Sequence, residues 1–155
     1  MQGTYCLIIS VPKTQIIDST ALGSLEFKTG TWLYVGSAQG TGSTNLKNRL
    51  RRHFRDEKVI HWHIDHLLGS KGTLIDAIWA ESSAEMECKL AQHLESKTDI
   101  VWGPKKFGAS DCKNSCGSHT LYYSGAVSPI PFVESAFTSL GMKPYRYSKK
   151  KPITA

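Results

Sequence analysis

The sequence predicts one mixed α/β domain of the α+β type, and three observations point to it. Runs rich in β-branched and aromatic residues at 3–11 and 31–36 are bounded by glycine and proline. Two other segments, 45–55 and 82–96, carry helical spacing. The chain has 155 residues, 40% of them hydrophobic, enough for a single core.

Gly3 to Val11 reads as a central strand that Pro12 ends. Short strands over 14–17 and 25–27 flank a turn at Leu22-Gly23. Thr31 to Val35 is a strand, and if it pairs antiparallel with 3–11, Tyr5 and Tyr34 share one end of a small sheet. Gly40 and Gly42, set among Thr and Ser, mark a loop. From Asn45, Leu46, Leu50 and Phe54 recur every four residues, the apolar stripe of a helix. Val59 to Leu68 reads as helical, or as a turn into a helix, and Thr73 to Ala80 as a buried strand. Ser82 and Glu85 have the spacing of a capping box ahead of a helix to about Ser96. Residues 102–118 read as a long loop, His119 to Tyr123 as an edge strand, and Phe132 to Leu140 as a helix stopped by Gly141. The domain spans 1–142 in this reading, with a basic tail over 143–155.

A formal charge of +6 favours a polyanionic partner, because Lys and Arg that meet phosphates release counterions. The alternative is a basic surface that is merely solvated. Its distribution speaks for a partner: Asn45 to Arg55 holds five Lys or Arg and no acid. No apolar run approaches the roughly 20 residues needed to cross a bilayer, and none resembles a secretory leader. The expectation is a soluble, cytoplasmic, nucleoid-associated protein. Its four cysteines are then expected as reduced thiols or metal ligands.

Side-chain positions on the two helices single out a site. Arg49 and His53 border the apolar stripe of 45–55, whereas Arg51, Arg52 and Arg55 lie further round, toward water. Glu87 shares a face with Ala84, Leu90, Ala91 and Leu94, and a carboxylate in a buried stripe must be paired, protonated or metal-bound. A salt bridge to an Arg at the core edge is the plainer account. Phosphodiester hydrolysis needs a base for water, positive charge on the phosphate, and a metal at the leaving oxygen. Tyr5, Tyr34, Arg49, His53 and Glu87 together could supply these.

Gly3-Thr4-Tyr5, Tyr34-Val35-Gly36 and Asn45-Leu46-Lys47-Asn48-Arg49-Leu50 resemble the GIY-YIG nuclease superfamily. The last run is similar to that following Tyr-Val-Gly in the excision-repair incision nucleases. A closer likeness is to a largely archaeal branch, through Tyr-Val-Gly-Ser-Ala at 34–38, the Arg-His helix at 49–53, His-Trp-His-Ile-Asp at 61–65, Glu87-Cys88, and the Ser-Asp-Cys segment within 107–112. The resemblance implies a small, mainly antiparallel sheet flanked by helices, and a divalent-metal-dependent endonuclease acting on DNA. Cleavage would be directed by structure or damage in repair or recombination, with RNA an open substrate and a repair protein as a further partner. It implies Tyr34 as, or beside, the base, Tyr5 in support, Arg49 on the phosphate, and Glu87 as the single ligand of one Mg²⁺ or Mn²⁺. Ser37 stands where the repair nucleases have Lys, and Lys47 or His53 is the candidate replacement charge. Ser37, Lys47, Arg51, Arg52 and Arg55 would line the nucleic acid, with His63 and Asp65 behind the site. A non-catalytic nucleic-acid-binding module on the same scaffold is the alternative.

His61, His63 and His66, with Asp65, could be metal ligands; packing or capping at a helix start is their plainer role. Cys112, Cys116 and His119 have the spacing of a zinc knuckle, with Cys88 as candidate fourth ligand; packing beneath the sheet is the other account. A zinc-stabilised protein-interaction domain would follow if that segment held metal and the basic helix were only a solvated face.

Overall fold

The computed structural model describes residues 2–19, 23–38, 46–53, 73–83, 85–97, 99–102, 119–125 and 127–147. The strands are β1 (Gly3–Val11), β2 (Gln15–Ser19), β3 (Gly23–Phe27), β4 (Gly30–Ala38), β5 (Thr73–Glu81), β6 (Ile100–Trp102), β7 (Thr120–Tyr123) and β8 (Tyr145–Tyr147). The helices are α1 (Leu46–His53), α2 (Met86–Glu95) and α3 (Pro129–Ser139). Six strands form one antiparallel sheet in the order β6-β7-β4-β1-β5-β8, and β2 pairs with β3 as a separate hairpin. This is the α+β class expected.

β1 is buried almost throughout because both faces of the sheet are covered. Strand alternation sorts its side chains into two cores. Tyr5, Leu7, Ile9 and Val11 join Trp32 and Tyr34 of β4, Ala77 and Trp79 of β5, Tyr147 of β8, and Leu46 and Leu50 of α1. Cys6 and Ile8 join Leu33, Val35, Ile78 and Ala80 against Leu90, Ala91 and Leu94 of α2 and Val133, Ala136 and Phe137 of α3. Thus α1 covers one face, and α2 and α3 the other. Burying Leu46 and Leu50 completely contributes about 1.5–3 kcal/mol each, which holds a short, highly cationic helix on the sheet.

Several expectations are corrected. β7 is not an edge strand, since β6 pairs outside it; a three-residue strand is too short to show alternation in a sequence. Residues 145–147, assigned to a tail, are β8: they pair with β5 and bury Tyr147, and Arg146 donates to both carboxylate oxygens of buried Asp76 at 3.1 and 2.8 Å. No capping box forms. Helix α2 begins at Met86 with no side-chain cap, and Ser82 instead meets the Thr4 hydroxyl at 2.7 Å, a contact 78 residues distant in sequence. α3 starts at Pro129, three residues before the expected Phe132, because Ser128 caps it by accepting from Ile130 N and proline suits its first turn; it stops before Gly141 at φ 81°, as expected. Val59 to Leu68 lies outside the described residues. Among the described residues, no helix is long and apolar enough to cross a membrane.

Candidate active site at one end of the sheet

Of the residues that the sequence singles out, Tyr5, Tyr34 and Arg49 lie on the α1 face toward one end of the sheet, and Glu87 lies on the opposite face. The pairing Gly3↔Ala38 and Gly3↔Glu81 places the start of β1 beside the ends of β4 and β5. The chain enters α1 after β4 and α2 after β5, so both helices are launched from this end. The far end of β4 is closed by aromatic packing, with Trp32 edge-on to Phe27 at 4.9 Å and to Tyr122 at 5.2 Å.

Tyr5 and Tyr34 point to the α1 face, on adjacent rows of the β1–β4 ladder: Tyr5 is opposite Gly36 and Tyr34 opposite Leu7. Tyr5 is 2% exposed and Tyr34 7%, so both phenols belong to the core as much as to a site. Gly36 makes this packing feasible, because a Cβ there would lie 2.6 Å from both Cζ and Oη of Tyr5. The next residue, Ser37, accepts a hydrogen bond through its carbonyl from Arg49 Nη1. That bond uses one of the five guanidinium donors and fixes the half-buried head at the strand end. The Ser37 side chain, paired with Thr4, faces the other side of the sheet from the two phenols. Its link to Arg49 is its backbone.

Glu87 reaches the same end from the opposite face. It lies in the first turn of α2, which the Thr4–Ser82 hydroxyl contact and the Ser82 N–H donating to Gln2 O hold against β1. Its Oε2 is 2.8 Å from Nδ1 of His119, whose side chain is fully buried. The oxygen lies off the line that a ring N–H needs, and neither ring nitrogen makes a well-formed hydrogen bond among the described residues. The alternative to a site role for Glu87 was a salt bridge to an Arg; the ion-pair neighbour in the structure is His119, one of the candidate zinc ligands. His119 is in turn pinned by its carbonyl, which accepts from Val35 N at 2.8 Å. Arg49 and Glu87 are therefore tied to positions two residues apart on β4, about 7 Å along the strand.

The remaining candidates divide simply. Arg51 is exposed on α1, consistent with a water-facing cation. Lys47, Arg52 and His53 lie in the α1 backbone span with side chains outside the description, and Arg55, His61, His63, Asp65, His66, Cys112 and Cys116 lie outside the described residues. Cys88 is disulfide-bonded. That corrects the expectation of a reduced thiol or metal ligand at Cys88 and removes it as a fourth zinc ligand. Cys6 is free and buried, and burial pushes its thiol pKa well up. Among the described residues, no group of three or more His, Cys, Asp or Glu is placed to hold a metal. A lone carboxylate at the sheet end suits only a hard cation that keeps most of its waters and takes phosphate oxygens from a substrate.

The site also draws in residues that sequence reading passed over. Trp79 flanks Tyr5 on β5, and Tyr145 flanks Trp79 on β8. Neither has a motif of its own; only the register of three strands aligns them with Tyr5.

An antiparallel sheet with helices on both faces, two of them following strands that end on the same side of the sheet, defines an α+β domain. Residues 4–142 match the model of the family described as "Domain of unknown function DUF123". The chain belongs to that GIY-YIG-like family. No curated protein and no solved structure matches it.

Proposed function

We propose that this protein is a divalent-metal-dependent endonuclease that hydrolyses DNA phosphodiester bonds, directed by structure or damage in repair or recombination, from the largely archaeal branch of the superfamily. The observation that carries the reading is the shared strand end: Tyr5 lies over Gly36, Arg49 holds Ser37, and Glu87 is tied through His119 to Val35. Arg49 binds the scissile phosphate and meets its developing charge with donors already oriented by the strand. The phenol of Tyr34, with Tyr5 behind it, holds or accepts the proton of the attacking water. Glu87 would hold one Mg²⁺ or Mn²⁺, which supplies stabilisation of the leaving oxygen when bound. The net charge of +6 supports a nucleic-acid partner, and RNA enters as a second backbone to test.

A second reading, a non-catalytic nucleic-acid-binding module, is favoured by two facts. Ser37 stands in place of Lys, and the helix bearing Glu87 packs the face opposite α1. One assay separates the two. Linear, nicked, flapped and branched DNA, with matching RNA, is incubated with Mg²⁺ or Mn²⁺ and the wild type, Arg49→Lys or Glu87→Gln. The nuclease reading expects metal-dependent cuts that fall by roughly 10²–10³ in each variant. Salt-sensitive binding without cuts in the wild type overturns it in favour of the second.

A further inference from the structure

We propose that Tyr145, seated on Trp79 with Lys143 beside it, is a platform on which an unpaired base of a single-stranded or branched nucleic acid stacks, next to the Tyr5–Arg49 end of the sheet. The proposal deepens the nucleic-acid reading above by naming the substrate class as a strand with unpaired nucleotides rather than continuous duplex.

The geometry starts from the register. Tyr5 pairs with Trp79, and Trp79 with Tyr145, so Gly36, Tyr5, Trp79 and Tyr145 form one row across β4, β1, β5 and β8 on the α1 face. Two strand spacings, about 10 Å, separate Tyr145 from Tyr5. Trp79 is buried, whereas Tyr145 is 43% exposed. Large exposed hydrophobics among the described residues are Ile16, Val127 and Tyr145, and of these Tyr145 alone is aromatic.

The ring is also held ready. Tyr145 stacks on Trp79 with centroids 4.8 Å apart and planes 25° from parallel. Its neighbour Arg146 locks β8 to buried Asp76 through two hydrogen bonds. A base arriving there need not order the aromatic, which keeps the entropic cost of binding low. Lys143 places its ammonium 5.5 Å from the Tyr145 ring centre. At an exposed site that cation–π contact is weak, so the ammonium can exchange onto the phosphate of the stacked nucleotide. An aromatic face with an adjacent cation is what single-strand binders use, since every base has a π-face. Bases inside a duplex are stacked on each other and cannot reach it.

The test measures affinity of the full chain for a fluorescein-labelled dT oligonucleotide, the corresponding RNA, a flapped duplex and a blunt duplex. Tyr145→Thr keeps a good strand former and removes the ring; Tyr145→Trp keeps an aromatic; circular dichroism melts check that each is folded. We expect Tyr145→Thr to weaken single-strand and flap binding about 5- to 150-fold while changing duplex binding less than about twofold, with Tyr145→Trp close to wild type. Single-strand affinity unchanged in folded Tyr145→Thr, or an equal loss on duplex, overturns the platform. The same oligonucleotides scored for cleavage keep the two ideas apart. Tyr145-dependent binding without cuts upholds the platform and removes the nuclease, and cuts with Tyr145-independent binding do the reverse.

Discussion

Gly36→Ala is the sharpest single perturbation of this site. The backbone at Gly36 is not in the left-handed region, so a side chain brings no dihedral strain. The cost is steric. A Cβ would stand 2.6 Å from Cζ and Oη of Tyr5 and 2.9 Å from its Cε2, against about 3.5–4.0 Å for an ordinary carbon contact. The phenol must therefore shift by about 1 Å, and it is 2% exposed inside a packed core. Overpacking of this kind costs about 1–3 kcal/mol. Alanine returns about 0.4–1 kcal/mol by restricting the unfolded chain. The net expectation is a loss of about 1–2 kcal/mol, or roughly 2–8 °C in Tm for a domain of this size.

Urea unfolding of Gly36→Ala, Tyr5→Leu and the double variant measures it. Because the penalty arises from one pair of side chains, the double variant should be more stable than the sum of the singles by about 0.5–3 kcal/mol. Tyr5→Phe, which removes one of the two closest contacts, should relieve only part of it. Additive losses, or a Gly36→Ala chain as stable as wild type, would refute the packing account. On the nuclease reading the displaced phenol also lowers cleavage by up to about 10²-fold, since misplacement of about 1 Å is enough.

Two further outcomes are expected. Arg146→Ala leaves the carboxylate of Asp76, 4% exposed, without the guanidinium that now holds it. Because Arg146 itself is half exposed, the loss should be about 1–3 kcal/mol by urea unfolding rather than the larger figure for a fully buried pair, and an unchanged midpoint would show that β8 does not depend on the pair. With Cys88 in a disulfide, at most two of the four thiols should react with Ellman's reagent in denaturant, rising to four after reduction, and Cys6 should stay silent in the native state. More than two before reduction would remove the disulfide.

The long strands and α1 were legible because their signals are local. Alternation, bounding glycines and a four-residue leucine repeat each act within one element, and the 3–11/31–36 pairing follows from strands long enough to commit. What escaped depends on distant partners. Ser82 has the spacing of a cap, but the Thr4 hydroxyl is its partner in the fold. Tyr145-Arg146-Tyr147 is too short to show alternation and is a strand because β5 has an open edge and Asp76 needs a cation. Glu87 shares a helix face with apolar residues, which says that the carboxylate needs company, yet nothing local selects His119, 32 residues on, over an Arg.

The opposed placement of α1 and α2 constrains how any phosphate can be shared. Arg49 and Glu87 flank β4 from its two sides, and a sheet with its side chains is too thick for the two groups to meet across it. They can meet only around the strand end, beyond Ser37, whose carbonyl the Arg49 guanidinium already reaches. On the nuclease reading a substrate backbone would then run past the ends of β1, β4 and β5. That path passes Tyr145 at the outer end of the same row, which is where a nucleotide leaving the cleavage point would next find an aromatic surface. If Glu87 instead stays with His119 as a structural pin, Arg49 and the aromatic row still describe a strand-binding edge. The Arg49 and Glu87 variants should then part company, the first losing affinity and the second only stability.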